Sequence, residues 1–127
     1  MAAEYFNEIG QEATAYRLGE LNRETEFVPK SIGVQAPTMI STLEPGSDVV
    51  LVDHNAPTQS IDHLDTLKVR SIIDHHLVEN LATKEPIQLR FDPICSTCSI
   101  LFLMFVEQDL EMSDQTAKLI LAGILSD

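Results

Sequence analysis

The stretch Ile73-Asp74-His75-His76-Leu77 decides how this sequence folds and what chemistry it carries, because an apolar run ends there in an acid and two adjacent histidines. The upstream stretch Val49-Val50-Leu51-Val52-Asp53-His54-Asn55 has the same arrangement. A third apolar run, Ala122-Gly123-Ile124-Leu125-Ser126-Asp127, also ends in an acid. Because two polar rings that follow a buried strand need partners, we predict a functional role for His75 and His76.

Length and charge narrow the class of protein. A chain of 127 residues is enough for one domain. Twenty acids against eight bases give a net charge of -12, which opposes electrostatic capture of nucleic acid, so we expect no nucleic-acid partner. Acidic chains still bind phosphates where divalent cations invert the local charge. No apolar run is long enough for a membrane helix and no signal peptide is visible, so we expect a cytoplasmic protein without a membrane partner.

The order of the predicted elements indicates an α/β fold, with a largely parallel sheet and flanking helices. The run at 48–53 does not alternate with polar residues, so we expect a central strand with both faces buried. Prolines flank the strand predicted at 87–91, which we expect near an edge. The other predicted elements are helices at 2–9, 24–28 and 60–67, strands at 12–18 and 69–73, a helix from Ser96 or Thr97 to about Gln108, and a last helix capped by Ser113.

Acidic and imidazole side chains follow two of these strands. Ligands gather at the carboxyl ends of parallel strands, which is where Asp53 and Asp74 are expected. Carboxylates and imidazoles bind Mn, Co, Zn or Fe, and the two oxygens of Asp53 could bridge two ions, whereas each histidine supplies one nitrogen. Two adjacent metals would hold a phosphate oxygen and a hydroxide for in-line attack.

Each of these residues also has a plainer interpretation. Asp53 alone could cap the next turn, and His54 could orient a ligand through a hydrogen bond rather than bind metal. His63, between acids, is expected on the surface. Cys95 and Cys98 form a C-x-x-C, which we interpret as two small, buried, reduced thiols at a helix start, with metal or redox chemistry as the alternative.

Four ordered motifs resemble those of the DHH phosphoesterase superfamily, and within it they are most similar to the manganese-dependent family II inorganic pyrophosphatases. The segment from Tyr16 to Phe27 is also similar to that family. The resemblance covers essentially all 127 residues. The motifs are Val52-Asp53-His54-Asn55, Ile73-Asp74-His75-His76, Cys95-Ser96-Thr97-Cys98-Ser99-Ile100-Leu101 and Ala122-Gly123-Ile124-Leu125-Ser126-Asp127.

The resemblance implies a Rossmann-like domain that hydrolyses pyrophosphate to two orthophosphates with a hydroxide activated by two Mn²⁺ ions, Co²⁺ being possible. It implies that Asp53 and Asp127 bridge the two ions and that His75 binds one of them. His76 would face the substrate, which carries Mg²⁺, and Asp74 would orient the imidazoles. Members of this family dimerise by joining sheet edges, which points here to a homodimer through the strand at 87–91.

The sequence also departs from the family pattern. The family begins with a strand that carries one His and two Asp ligands, and it ends in a domain whose Lys and Arg residues bind pyrophosphate. Nothing in this sequence corresponds to either, and Ala56 replaces the usual Glu. We therefore expect 1–127 to be a partial DHH domain, without its first strand and without the C-terminal domain. Because the cationic groups that stabilise the transition state would be missing, we expect weak metal binding and little activity.

Two alternatives stay open. One is a phosphodiesterase of the same fold that cleaves short oligonucleotides or cyclic dinucleotides. The other is a truncated, non-catalytic module kept for subunit contacts, in which case added Mn²⁺ would leave the melting temperature unchanged.

Overall fold

The structure is a computed structural model that describes residues 1–126, apart from the side chains of Glu24 and Thr25. No helix among those residues is long and apolar enough to cross a membrane. The helices are α1 (Ala2–Glu8), α2 (Arg23–Ile32), α3 (Thr97–Glu107) and α4 (Asp114–Ser126). The strands are β1 (Tyr16–Arg17), β2 (Thr38–Met39), β3 (Asp48–Val52), β4 (Lys68–Asp74) and β5 (Gln88–Phe91).

The strands form two parallel sheets, which confirms the predicted α/β class. The larger sheet has the order β3-β4-β5, with Leu51 opposite Ile72 and Ile73 opposite Arg90. The smaller sheet pairs β1 with β2. As predicted, β5 lies at an edge of its sheet.

The prediction that β3 is a central strand was wrong for the described residues. β3 pairs with β4 alone in this part of the chain, and of its five residues only Leu51 is buried. An apolar run reports the tendency of its side chains to leave water, but it does not reveal how many neighbouring strands are available. The doubly buried strand is instead the second half of β4, where Ser71, Ile72, Ile73 and Asp74 are all buried.

The core lies between the larger sheet and helices α1, α3 and α4. Its aromatic centre is Tyr5, whose ring stands edge-on to Phe105 with centroids 5.6 Å apart. Such edge-to-face pairs add to the free energy gained by burying the rings. The buried members of the cluster are Tyr5, Phe6, Ile73, Ile100, Leu101, Met104, Phe105 and Ile120.

Local capping signals predicted α3 and α4 well. The Ser96 side chain accepts a hydrogen bond from the backbone N–H of Cys98 and so caps α3. Ser113 does the same for the backbone N–H of Thr116 at the start of α4. These bonds satisfy amide groups that a helix end otherwise leaves without partners.

Three other predicted elements have different bounds. α2 runs through Pro29 to Ile32 and ends where Gly33 takes a left-handed φ of +83°. The helix predicted at 60–67 is only a short 3-10 turn at Leu64–Thr66, because His63 has a φ of 60° that interrupts a right-handed helix. The strand predicted at 12–18 is limited to β1, since β2 offers two residues for pairing.

Candidate metal centre

Asp53 lies at the carboxyl end of β3, beside the end of β4. Its backbone N–H donates to the carbonyl of Ile73 at 2.9 Å, which extends the strand pairing by one residue. Its φ of 67° then turns the chain out of the sheet. The side chain is 61% exposed, so this carboxylate faces solvent at the position where parallel sheets bind ligands.

His75 presents one ring nitrogen to that carboxylate. Its Nδ1 lies 3.1 Å from the carbonyl oxygen of Ile94, and because a carbonyl only accepts, Nδ1 carries the proton. Nε2, the other ring nitrogen, lies 3.6 Å from Asp53 Oδ1 and is the one that can bind a metal. A histidine whose second nitrogen donates to a backbone carbonyl is the usual form of a metal ligand.

Asp74 is fully buried, and its carboxylate accepts four hydrogen bonds. Oδ1 accepts from the backbone N–H groups of His75 and His76 and from Nδ1 of His76, the last at 2.6 Å. Oδ2 accepts from the Asn55 side chain at 2.8 Å. Burial raises the pKa of Asp74, but the bonds from Asn55, from the His76 side chain and from the two backbone amides outweigh it and lower the pKa below its usual value.

The ionised Asp74 fixes the proton on His76. Because a carboxylate only accepts, Nδ1 of His76 is the donor, and the lone pair of the neutral ring lies on Nε2. Nδ1 of His76 is also 4.0 Å from Asp53 Oδ1. The ring centroids of His75 and His76 are 4.2 Å apart. His76 thus belongs to the cluster by distance, while its Nδ1 is committed to Asp74.

Asn55 connects the turns after β3 and β4. Its side chain donates to Asp74 Oδ2 and to the carbonyl of Leu77, and its oxygen accepts from the backbone N–H of Glu79. It is only 3% exposed. Asn55 has no predicted role in the site, although its place directly after Asp53 and His54 is a usable signal.

Two further groups come from the first residue of α3 and from the segment just before it. The Thr97 hydroxyl donates to Asp53 Oδ1 at 2.8 Å, and the carbonyl of Ile94 accepts from His75 as described. Thr97 was expected only as a possible helix cap, and a backbone carbonyl leaves no signature in a sequence. Both groups were therefore missed.

The remaining predicted site residues lie apart from this cluster or beyond the described chain. His54 donates from Nδ1 to the carbonyl of Val52, and its Nε2 is 3.1 Å from the Ser60 hydroxyl, so its proposed part in orienting a ligand stays a prediction. Asp127, predicted to bridge two ions, lies outside the described residues. His63 is exposed, as expected.

The prediction of two buried cysteines was wrong. Cys95 is exposed, while Cys98 is partly buried, and neither is in a disulfide. Cys98 packs where α4 has Gly123, because a Cβ there would lie 2.3 Å from the Cys98 sulfur. The exposure of Cys95 follows from its position ahead of the Ser96 cap, outside the packed face of α3.

The donor set fits a divalent cation. One ligand atom each from Asp53, His75 and His76 lie within 4.8 Å of one another, close enough to surround a single ion after small movements. A carboxylate oxygen with imidazole nitrogens suits Mn²⁺, Co²⁺, Zn²⁺ or Fe²⁺. The proton positions favour Asp53 and His75 as the ligands of such an ion, with His76 beside them.

A family model described as "DHH family, N-terminal domain" matches residues 2–124. The chain belongs to the DHH family. This DHH chain is 38% identical over 125 residues to a "Probable manganese-dependent inorganic pyrophosphatase" of Oceanobacillus iheyensis, and 46% identical over 118 residues to one of Deinococcus radiodurans. The alignments cover 98% and 93% of this chain but only 41% and 38% of those relatives.

A solved structure agrees with these relatives. The crystal structure of a Methanococcus jannaschii protein named "putative family II inorganic pyrophosphatase" matches 90% of the DHH chain with a TM-score of 0.83 and 35% sequence identity. The match covers 39% of that protein. The DHH chain thus spans about two fifths of the length of the proteins it resembles, and it has the fold of their matching portion.

Proposed function

We propose that this DHH chain supplies part of the active site of a manganese-dependent inorganic pyrophosphatase, which hydrolyses pyrophosphate to two orthophosphates. One observation carries the proposal: His75 Nε2 lies 3.6 Å from Asp53 Oδ1, at the carboxyl end of a parallel sheet. The printed names of the relatives supply the metal and the substrate.

The ligands have separate parts in this proposal. Asp53 and His75 would hold the first Mn²⁺, and Asp127 would join Asp53 as a ligand shared with a second ion; Co²⁺ could replace Mn²⁺ because both accept carboxylate and imidazole ligands. The substrate arrives with Mg²⁺. When bound, two such cations neutralise phosphate oxygens and lower the pKa of the attacking water. Asp53 suits the bridging part because it is exposed and has two carboxylate oxygens.

His76 and Asp74 form the substrate-facing pair. Asp74 holds Nδ1 of His76 at 2.6 Å, which orients the ring. In the protonated form of the ring, Nε2 carries a second proton, which would donate to a phosphate oxygen and stabilise the negative charge that develops there. His54, bonded to the carbonyl just before Asp53, holds the end of β3 in place.

A chimera tests the proposal. This chain would replace the 125-residue stretch that it matches in the Oceanobacillus iheyensis relative, and phosphate release from pyrophosphate would be measured with and without Mn²⁺. We expect Mn²⁺-dependent turnover that Asp53→Asn abolishes. A folded chimera that binds Mn²⁺ but releases no phosphate would refute the proposal, and preferential cleavage of a cyclic or linear dinucleotide would favour the phosphodiesterase alternative.

The isolated chain should behave differently in the same assay. Because it spans about two fifths of those relatives, we expect it to release phosphate far more slowly than the chimera. Equal turnover by the two proteins would contradict this expectation.

We also propose a homodimer that forms through β5. This strand is one of the two edges of the larger sheet among the described residues, and its Leu89 is 51% exposed. An unpaired edge with an apolar side chain favours pairing with a second copy. Sedimentation should show a dimer that Leu89→Lys converts to a monomer, and a wild-type monomer at micromolar concentration would rule it out.

The site of action is proposed as the cytoplasm, with a small phosphate compound rather than nucleic acid as partner. The two cysteines are thiols, which suits a reducing compartment, and the net charge of -12 repels nucleic acid. A fluorescent fusion that leaves the cytoplasm, or tight binding of a labelled oligonucleotide without metal, would contradict these two proposals.

A further inference from the structure

Thr97 is placed to act on the metal centre from the first residue of α3. It is 4% exposed, and its hydroxyl donates to Asp53 Oδ1 at 2.8 Å across 44 residues of sequence. The neighbouring Ser96 caps the helix by accepting from the Cys98 amide. Capping therefore does not require the Thr97 hydroxyl, and its bond to Asp53 needs another explanation.

Asp53 is the member of the cluster that most needs a restraint. It is 61% exposed and itself has a left-handed φ of 67°, so packing alone does not fix its side-chain torsions. Thr97, by contrast, is rigid because a β-branched side chain is stiff about its first torsion and because α3 is anchored in the core by Ile100 and Leu101. A buried donor on a packed helix thus holds an exposed acceptor.

The bond selects one oxygen of the carboxylate. Oδ1, which accepts from Thr97, is the same atom that lies 3.6 Å from Nε2 of His75. The proton on His75 is in turn held by the carbonyl of Ile94, three residues before Thr97. One short segment, 94–97, therefore orients both side chains of the candidate ligand pair. Because a carboxylate oxygen has two lone pairs, the hydrogen bond leaves one for a cation.

We propose that Thr97 is a positioning residue for the divalent cation: its hydroxyl holds Asp53 Oδ1 toward His75, so that Mn²⁺ meets a preformed pair of ligands. The inference rests on the proposed function, in that it requires Asp53 and His75 to be metal ligands. Without the hydroxyl, the exposed carboxylate rotates among several orientations, and binding must first order it. Groups that orient metal ligands in this way contribute about 10- to 100-fold to affinity.

Calorimetric titration of the metal-free chain with MnCl₂ tests this role. Thr97→Val keeps the shape of the side chain without the hydroxyl and should weaken binding by about 10-fold or more, whereas Thr97→Ser keeps the hydroxyl and should restore it. Thr116→Val is the matched control, because Thr116 is a second buried threonine in the first turn of a helix, α4. It should leave the affinity unchanged.

The possible results distinguish a failure of the proposed role of Thr97 from a failure of the metal site itself. Circular dichroism and urea unfolding would establish that each variant is folded, so that an effect of Thr97→Val on affinity that Thr97→Ser reverses is not a loss of structure. Equal affinities of wild type and folded Thr97→Val would overturn the role of Thr97 and leave the metal site standing. A wild-type chain that binds no Mn²⁺ would overturn the metal site, and the role of Thr97 with it.

Discussion

Ile73 and Asp74 are neighbours on β4, both completely buried, and their surroundings are opposite. Ile73 packs into the apolar cluster beneath the sheet, and Asp74 is enclosed by hydrogen bonds at the end of the strand. Among the described residues, no buried side-chain nitrogen or oxygen lacks a hydrogen-bond partner. The apolar region stabilises the fold, and the polar region orients groups for chemistry. Removing these polar groups from water costs free energy, which their hydrogen bonds offset.

The largest effect should come from the apolar region. Phe105 is fully buried against Tyr5, so Phe105→Ala should lower the free energy of unfolding by about 3–5 kcal/mol. Phe27→Ala, at a side chain that is 69% exposed on α2, should change it by no more than about 0.5 kcal/mol. Urea denaturation measures both. Similar losses would show that the core does not lie where it is described.

The polar region should respond to Asp74→Asn with a smaller loss of stability and a larger loss of metal binding. Oδ2 of Asp74 now accepts a hydrogen bond from the Asn55 amide group. In Asp74→Asn an NH₂ group would face that donor, and the lost hydrogen bond should lower the free energy of unfolding by about 1–3 kcal/mol. The substitution would also remove the charge that orients His76. Urea denaturation and the Mn²⁺-induced shift in melting temperature would test this, and unchanged values for both would separate Asp74 from the site.

The stability difference between wild type and Asp74→Asn should depend on pH. The pKa of Asp74 is lowered in the folded chain, so its ionised form contributes stability above the unfolded value of 3.8, and this contribution is lost as the pH falls through the folded pKa. The stability gap between wild type and Asp74→Asn should therefore narrow in acid. Measuring the free energy of unfolding of both proteins from neutral to acid pH would detect this narrowing. A stability gap that widens in acid would mean that the pKa of Asp74 is raised rather than lowered.

In both the apolar and the polar region, the sequence predicted the parts that depend on residues close together in the chain. β4 could be located because its apolar run stops at Asp74, and α3 could be bounded because Ser96 caps it. The edge position of β3 in the described part of the chain depends on partners that its own residues do not specify. The bond between Thr97 and Asp53 joins positions 44 residues apart, so no local pattern contains it.

The smallest effect should come from a surface ion pair. Arg90 donates two hydrogen bonds to Glu107, which lowers the pKa of Glu107, but that carboxylate is exposed and screened by water. Glu107→Gln should cause only a slight, salt-sensitive loss of stability and no change in Mn²⁺ affinity. Melting curves at low and high salt would show it, and a loss as large as that of Asp74→Asn would contradict the distinction between surface and buried carboxylates.

The most direct test of the metal centre is thermal unfolding of this chain during titration with Mn²⁺, together with Asp53→Asn and His75→Ala. Wild type should gain about 2.7 kcal/mol when free Mn²⁺ reaches 100 times its dissociation constant, and both variants should lose that gain. His63→Asn, a control at an exposed left-handed residue, should keep it. No Mn²⁺-dependent rise in the wild-type melting temperature, or an equal rise in both site variants, would contradict the assignment of Asp53 and His75 as metal ligands.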